Sequence, residues 1–533
     1  MMNRRTFGGA FLAFLGATCF ASVLGTQTAP MLAASAPCES LGALSLPNVT
    51  ITGAQTVAAG SFAPPAPARG EGGGRGAAAG RGGRGNAPSP FADMASFCRV
   101  AATLKPSSDS DIKIEVWMPT EGWNGKFQAV GNGGWAGSIS YPAMATAVRG
   151  GYATASTDTG HTGNSASFAL GHPEKVIDMG YRAIHEMTVQ SKTIVDRFYG
   201  TAPTLSMFNG CSLGGRQAVT EAARYPADFD AIVAGASALY NVRLHAARLA
   251  INQYANRTAS SAIPAEKFPA VHNAVMNACD ATDGIKDGVI ENPEKCRFDP
   301  RVLECKGGDS PSCLTAEQVD TARALYAPVK SPKSGTTILH PLLQPGSELG
   351  WSTLAGAEPL GNAQEPFKYI VFNDPNWNWR SFNADTDFDL FLEKDNNALG
   401  LTDPNLKPFF DRGGKLLMYH GWSDPQVTAM NSVNYFNDVL KTTGKASAGK
   451  SIQLYMVPGM NHCQGGPGTD VFDKVAAMES WVASGRAPNQ ILASHLAEGK
   501  VDRTRPLCPY GQVAKWKGTG STDDAANFSC VAQ

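Results

Sequence analysis

Residues Gly210, Cys211, Ser212, Leu213 and Gly214 spell G-x-S-x-G, a pattern that lifts a serine hydroxyl clear of the backbone. Glycines flank such a serine because it sits on a strained strand-to-helix turn, where neighbouring side chains would crowd its Oγ. The hydroxyl is a poor nucleophile near neutral pH until an imidazole takes its proton. His462, in Pro458-Gly459-Met460-Asn461-His462-Cys463, lies on a loop marked by proline and glycine and is the candidate base. Asp424, in His420-Gly421-Trp422-Ser423-Asp424-Pro425, follows a short apolar run and is the candidate carboxylate that orients the ring. His420 is a rival base, but it precedes the acid. One cysteine directly precedes the serine and another directly follows the histidine, so a Cys211–Cys463 bond would clamp the two loops together.

The negative charge that develops on an attacked carbonyl needs backbone N–H donors. Leu213, next after the serine, is one candidate. Gly133 and Gly134, in the glycine-rich turn Gly131-Asn132-Gly133-Gly134, are the others. That turn lacks the following lysine and the spacing of a phosphate-binding loop.

These residues need elements to hold them. Ile112 to Trp117, Lys126 to Val130 and Tyr152 to Ser156 read as strands, and Tyr181 to Tyr199 has helical periodicity. Leu205 to Phe208 reads as the strand that enters the serine turn, and Gly214 to Tyr225 as the helix that leaves it. Phe229 to Ala234, Lys415 to Tyr419 and Ile452 to Val457 read as further strands. Alternating strands and helices at this spacing predict a mostly parallel sheet covered on both faces. The order Ser212, Asp424, His462 is that of an α/β-hydrolase. The rhythm breaks after about Ala238, so the expected organisation is an α/β-hydrolase core (37–238 and 413–533) with a large inserted lid domain (239–412).

The 533 residues carry a formal net charge of −1, which gives no global argument for nucleic acid or an anionic membrane surface. Residues 1–36 read as an export signal: Arg4 and Arg5, then a small apolar stretch from Phe7 to Leu24, then small residues. A secreted or periplasmic protein is expected, with no stable membrane span once the signal is gone. Residues 60–90 form a Gly/Arg-rich insertion with no apolar periodicity and are expected to be disordered. Removing Cys19 with the signal leaves ten cysteines, an even number that predicts a disulfide framework. Connectivity does not follow from sequence alone. Local spacing suggests Cys279–Cys296, Cys305–Cys313 and Cys508–Cys530, leaving Cys38, Cys98, Cys211 and Cys463 for long-range bonds.

Several blocks together resemble the tannase and feruloyl esterase family, which includes an enzyme cleaving mono(2-hydroxyethyl) terephthalate. They are Gly210 to Gln217 around the serine, Asp158-Thr159-Gly160-His161, Pro458 to Cys463, and Arg503 to Tyr510. The resemblance runs from about Cys38 to Cys530. It implies a serine-hydrolase core, a lid that supplies most substrate contacts, and the pairings Cys38–Cys98 and Cys211–Cys463 beside the three local ones. Leu213 stands where relatives often carry a polar residue.

Cys279 to Val289 puts Asp280, Asp283 and Asp287 in a tight glycine-bearing loop, a density of oxygen ligands that suits Ca²⁺. The spacing is not that of an EF-hand. The resemblance implies side-chain ligation by the three aspartates, backbone ligation by Ile285 and Val289, and a structural role inside the lid.

The expected partner is a small aromatic ester, not a nucleic acid. Trp377 and Trp379 are candidates for stacking on its ring, or else core aromatics. Feruloyl, galloyl and terephthaloyl esters are equally compatible with the sequence. An exopeptidase on the same three residues is the alternative reading, and a non-catalytic polyanion-binding protein using the Arg-Gly tract is a more distant one.

Overall fold

The computed structural model describes residues 35–65, 89–400 and 403–533. The stretch read as an export signal, apart from its last two residues, and most of the Gly/Arg-rich insertion lie outside the described residues. A nine-stranded sheet organises the chain. Its strands are β1 (Val49–Val57), β2 (Phe97–Leu104), β3 (Ile112–Pro119), β4 (Lys126–Val130), β5 (Ala153–Thr157), β6 (Leu205–Cys211), β7 (Ala231–Gly235), β8 (Lys415–Gly421) and β9 (Ile452–Val457). In space they run β1-β2-β3-β5-β4-β6-β7-β8-β9. The pairings from β5 to β9 are all parallel, whereas β1, β2, β3 and β5 pair antiparallel. The sheet is therefore mixed. Its half from β5 to β9 is parallel, and the chain has an α/β-hydrolase fold.

Residue alternation explains why the sheet is buried on both sides. Phe208, Ile232, Ala234, Leu416 and Met418 face one core, together with helices α2 (Ala183–Tyr199) and α3 (Leu213–Arg224). Their neighbours Met207, Ala231, Val233, Leu417 and Tyr419 face a second core with Met478 and Trp481. A third cluster packs helix α1 (Tyr141–Arg149) on Trp117 and Val130. Helix α2 stops at Gly200, whose left-handed backbone (φ 69°) closes the last turn.

Between β7 and β8 the chain builds an apolar cluster of its own, centred on helix α4 (Asn241–Ala255), Trp351, Phe367 and Phe391. After β9 come a three-stranded sheet of β10 (Val471–Phe472), β11 (Ile491–Ala497) and β12 (Lys500–Leu507), and a hairpin of β13 (Gln512–Trp516) and β14 (Phe528–Ala532). The disulfides are Cys38–Cys98, Cys211–Cys463, Cys279–Cys296, Cys305–Cys313 and Cys508–Cys530. Among the described residues no helix is long and apolar enough to cross a membrane.

One buried carboxyl gives this fold a pH signature. Asp158, just past β5, takes the backbone N–H groups of Lys113 and Gly160 on a single oxygen, each at 2.8 Å. Burial pushes its pKa up to about 7 against the lowering effect of those bonds. The folded value lies above the unfolded one, so the linked stability is fully present below about pH 4. It is lost as pH rises to about 7, by on the order of a few kcal/mol. Asp158→Asn keeps an acceptor oxygen for both N–H groups and removes the ionisation. Urea midpoints at pH 4.5 and 7 should fall together less steeply in this variant, and an unchanged slope would refute the assignment.

Candidate active site

Ser212 sits between β6 and α3 with φ 64° and ψ −120°, a conformation that costs a non-glycine residue and is held by its surroundings. Its N–H donates to the Gly235 carbonyl at 2.9 Å, and its carbonyl accepts from Ala238. The turn leaves no room for side chains. A Cβ on Gly215 would lie 2.3 Å from the Gly235 oxygen, and one on Gly131 would lie 2.5 Å from the Gly214 Cα. Gln217 locks the glycine turn to helix α3 through a reciprocal amide pair. Its Oε1 accepts from the Asn132 N–H at 3.0 Å, while its Nε2 donates to Asn132 Oδ1 at 3.1 Å.

Ser212 Oγ lies 2.8 Å from His462 Nε2, and His462 Nδ1 lies 2.7 Å from Asp424 Oδ2. Asp424 is buried on the loop after β8. Burial alone would raise its pKa, but the charge of His462 and the bonds from His420 and His462 outweigh that and hold it well below the ordinary carboxylate range. The carboxylate is ionised and only accepts, so Nδ1 carries the proton and Nε2 is left to accept from the serine. The structure thus brings the three predicted residues into one relay.

His420, the rival base, stands behind the acid. It is fully buried, with Nε2 3.1 Å from Asp424 Oδ2 and 3.0 Å from the Val427 carbonyl. Two acceptors at Nε2 fix the proton there, so Nδ1 accepts from Ser432 Oγ at 2.8 Å. Asp424 Oδ1 takes the N–H groups of Gln426 and Val427. All four contacts hold the carboxylate still.

Leu213 and Gly134 line the same cleft as Ser212 and His462, while Gly133 is not among its lining residues. The N–H groups of Leu213, Gly133 and Gly134 have no acceptor among the described residues. Trp135, Leu244 and Val427 give the cleft apolar wall. His245 and Arg248 add buried polarity from α4, at an i, i+3 spacing that puts both on one helix face. That spacing in Arg243 to Ala255 is a signal the sequence reading passes over. Burial first, then the charges of Arg248 and Arg216, keep His245 well below its ordinary pKa, so it is neutral. Arg248 donates to the Gln426 carbonyl and, among the described residues, has no carboxylate in contact.

The two candidate stacking residues lie elsewhere. Trp379 is buried in the core of the insertion, and Trp377 packs against that core between Phe367 and Phe372, with ring centroids 5.5 and 5.2 Å away. Neither lines the cleft. Their spacing in an Asn/Pro-rich stretch resembles an exposed loop, but Phe367 and Phe372 in the same insertion offer Trp377 apolar partners.

In the acidic loop Asp280 accepts from the N–H groups of Asp287 and Gly288, and Asp283 from that of Ile285. Asp287 is turned to Arg505 at 2.7 Å, so the donor oxygens of the three are not all within 4.8 Å of one another. Burial and then the charges of Asp287 and Asp280 raise the Asp283 pKa, with the Ile285 bond opposing. The donor set fits a hard cation in kind.

Known proteins resemble this chain over most of its length. The family model for tannase and feruloyl esterase matches residues 98–531. An uncharacterised esterase of Xanthomonas campestris pv. campestris is 36% identical over 548 residues, covering 93% of this chain and 92% of that protein. Feruloyl esterase C of Talaromyces stipitatus is 33% identical over 460 residues, covering 82% and 86%. The crystal structure of feruloyl esterase B from Aspergillus oryzae superposes with a TM-score of 0.81 at 30% identity, covering 93% of this chain and 99% of that one. A serine-bearing turn held to a histidine and a buried carboxylate, on this fold and with these relatives, means that the chain belongs to the tannase and feruloyl esterase family and is a carboxylic ester hydrolase.

Proposed function

We propose that the protein is an exported serine esterase that cleaves small aromatic carboxylic esters through an acyl-enzyme. The observation that carries this reading is the continuous path from Ser212 Oγ through His462 to Asp424, with links of 2.8 and 2.7 Å. Ser212 Oγ attacks the ester carbonyl as His462 Nε2 takes its proton. The N–H groups of Leu213 and Gly134 hold the oxyanion, and His462 returns the proton to the departing alcohol. Water, deprotonated by the same nitrogen, then releases the acid and frees Ser212. Asp424 keeps the ring in the required tautomer throughout.

Trp135, Leu213, Leu244 and Val427 offer an apolar wall for an aryl ring beside the serine. Arg248 and His245 can meet a polar ring substituent there. Relatives named feruloyl esterases support an aromatic acyl group. Five disulfides support an oxidising compartment. The test is hydrolysis of methyl ferulate, methyl gallate, mono(2-hydroxyethyl) terephthalate and a p-nitrophenyl aliphatic ester, beside an amide of the best acyl group. One aryl ester turned over well above the aliphatic ester and the amide is expected. Preference for the amide, or no aryl turnover, would overturn the proposal.

The Asp280–Val289 loop is proposed to hold a structural Ca²⁺ through Asp280, Asp283, Asp287 and the carbonyls of Ile285 and Val289. Three carboxylates in one partly buried, glycine-bearing loop support this. Bound calcium would tie the insertion to Arg505 of β12 through Asp287. Exhaustive chelation is expected to remove about one equivalent of calcium and lower the melting temperature by at least about 2 °C. No change in either would refute the site.

A further inference from the structure

Ester cleavage makes no use of a second polar cluster on the nucleophile helix. His185 lies on α2, Glu221 lies on α3, and Asp228 lies in the turn from α3 to β7. One donor atom from each lies within 4.8 Å of the other two. His185 Nδ1 is 2.7 Å from Asp228 Oδ2.

We infer that His185, Glu221 and Asp228 form a divalent transition-metal site of the Zn²⁺ class, bracing the nucleophile helix to α2. The independent observation is Glu221. Glu221 is 1% exposed, yet among the described residues neither of its carboxylate oxygens has a hydrogen-bond partner. A buried carboxylate left this way is costly to keep charged and calls for a proton or a cation. The nearby ammonium of Lys192 donates to the Asp228 main-chain carbonyl and makes no hydrogen bond to Glu221.

The cluster has the features of a built site. The His185 ring is stacked on Tyr225 at 3.8 Å and 9°, which fixes its plane. The Asp228 N–H donates to the Tyr225 carbonyl at 2.9 Å, and the Tyr225 N–H to the Glu221 carbonyl at 2.9 Å, so one short turn sets two of the ligands. The side chains of His185 and Asp228 are 28% and 12% exposed, which leaves an entry path to the buried glutamate. One imidazole nitrogen and two carboxylate oxygens suit Zn²⁺ with water as a fourth ligand, whereas Ca²⁺ and Mg²⁺ favour oxygen alone. Cys305, Asp309 and Cys313 also lie close together, but their two sulfurs are spent in a disulfide.

The rival occupant is a proton shared by Glu221 and Asp228, favoured by burial and by the neighbouring charge. Metal-stripped, untagged protein, kept saturated with Ca²⁺, separates the two. Titration with Zn²⁺ should show one equivalent bound, with a rise in melting temperature. Glu221→Gln and, at the partly exposed rim, His185→Ala should each weaken binding at least about tenfold and abolish the shift. Should the glutamine variant fail to fold, the alanine variant still decides. Absence of zinc binding by the wild type, or equal binding by a folded variant, overturns the site in favour of the shared proton.

Discussion

Replacement of Ser212 by alanine is expected to lower kcat/KM for an aryl ester by about 10⁴- to 10⁶-fold while the protein stays folded. The size follows from the relay geometry. His462 Nε2 has Ser212 Oγ at 2.8 Å, so removing the oxygen leaves the base with nothing to activate except stray water. Binding should survive, because the cleft walls come from other residues: Trp135 from the glycine turn and Leu244 from α4. Steady-state kinetics and a thermal melt of the same preparation check both halves of this expectation. Retention of more than about one per cent of turnover in a folded variant would place the nucleophile elsewhere.

Removing the Cys211–Cys463 disulfide, as Cys211→Ser with Cys463→Ser, should have the second-largest effect. The bond closes a loop of 252 residues, and loss of such a constraint costs about 2–5 kcal/mol through the unfolded chain. The local effect is as important. Ser212 and Cys463 both hold positive φ, 64° and 65°, and each is adjacent to or part of the bond. Strained backbone persists only where its surroundings over-determine it. Without the bond the two loops should relax and lengthen the Ser212–His462 contact, so turnover should fall together with the denaturation midpoint. A midpoint and kcat both equal to the wild type's would show that the β6 and β9 loops need no covalent link.

The parts legible in the sequence were those fixed by local chemistry. A run such as Ile452 to Val457 can only be a buried strand, and the glycines around Ser212 admit only one kind of turn. Chain order alone brought His462 forward over His420 as the base. The second role of His420, as a partner of Asp424, depends on β8 bending its loop back over Ser432, which no periodicity reveals. The mixed character of the sheet was hidden for a related reason. Strands β1 and β2 pair antiparallel across a long connection, and β1, half exposed at the edge, carries Gly53, Thr and Gln instead of an apolar run. Trp377 and Trp379 were ambiguous because an aromatic pair looks the same at a binding surface and in a core. The cleft residues His245 and Arg248 sit on a helix of the insertion, whose placement over Ser212 is a tertiary fact.

The Cys211–Cys463 bond also has a topological meaning. The insertion between β7 and β8 lies wholly inside the ring that this bond closes. The insertion can therefore lengthen, shorten or be rebuilt without loosening the hold of one reacting loop on the other, because the ring closes at the chemistry and not at the insertion's hinges. A single proteolytic cut in that stretch leaves the serine and histidine fragments covalently joined. Variation in what the enzyme accepts can thus accumulate in the enclosed segment while the reacting pair stays anchored at its neck.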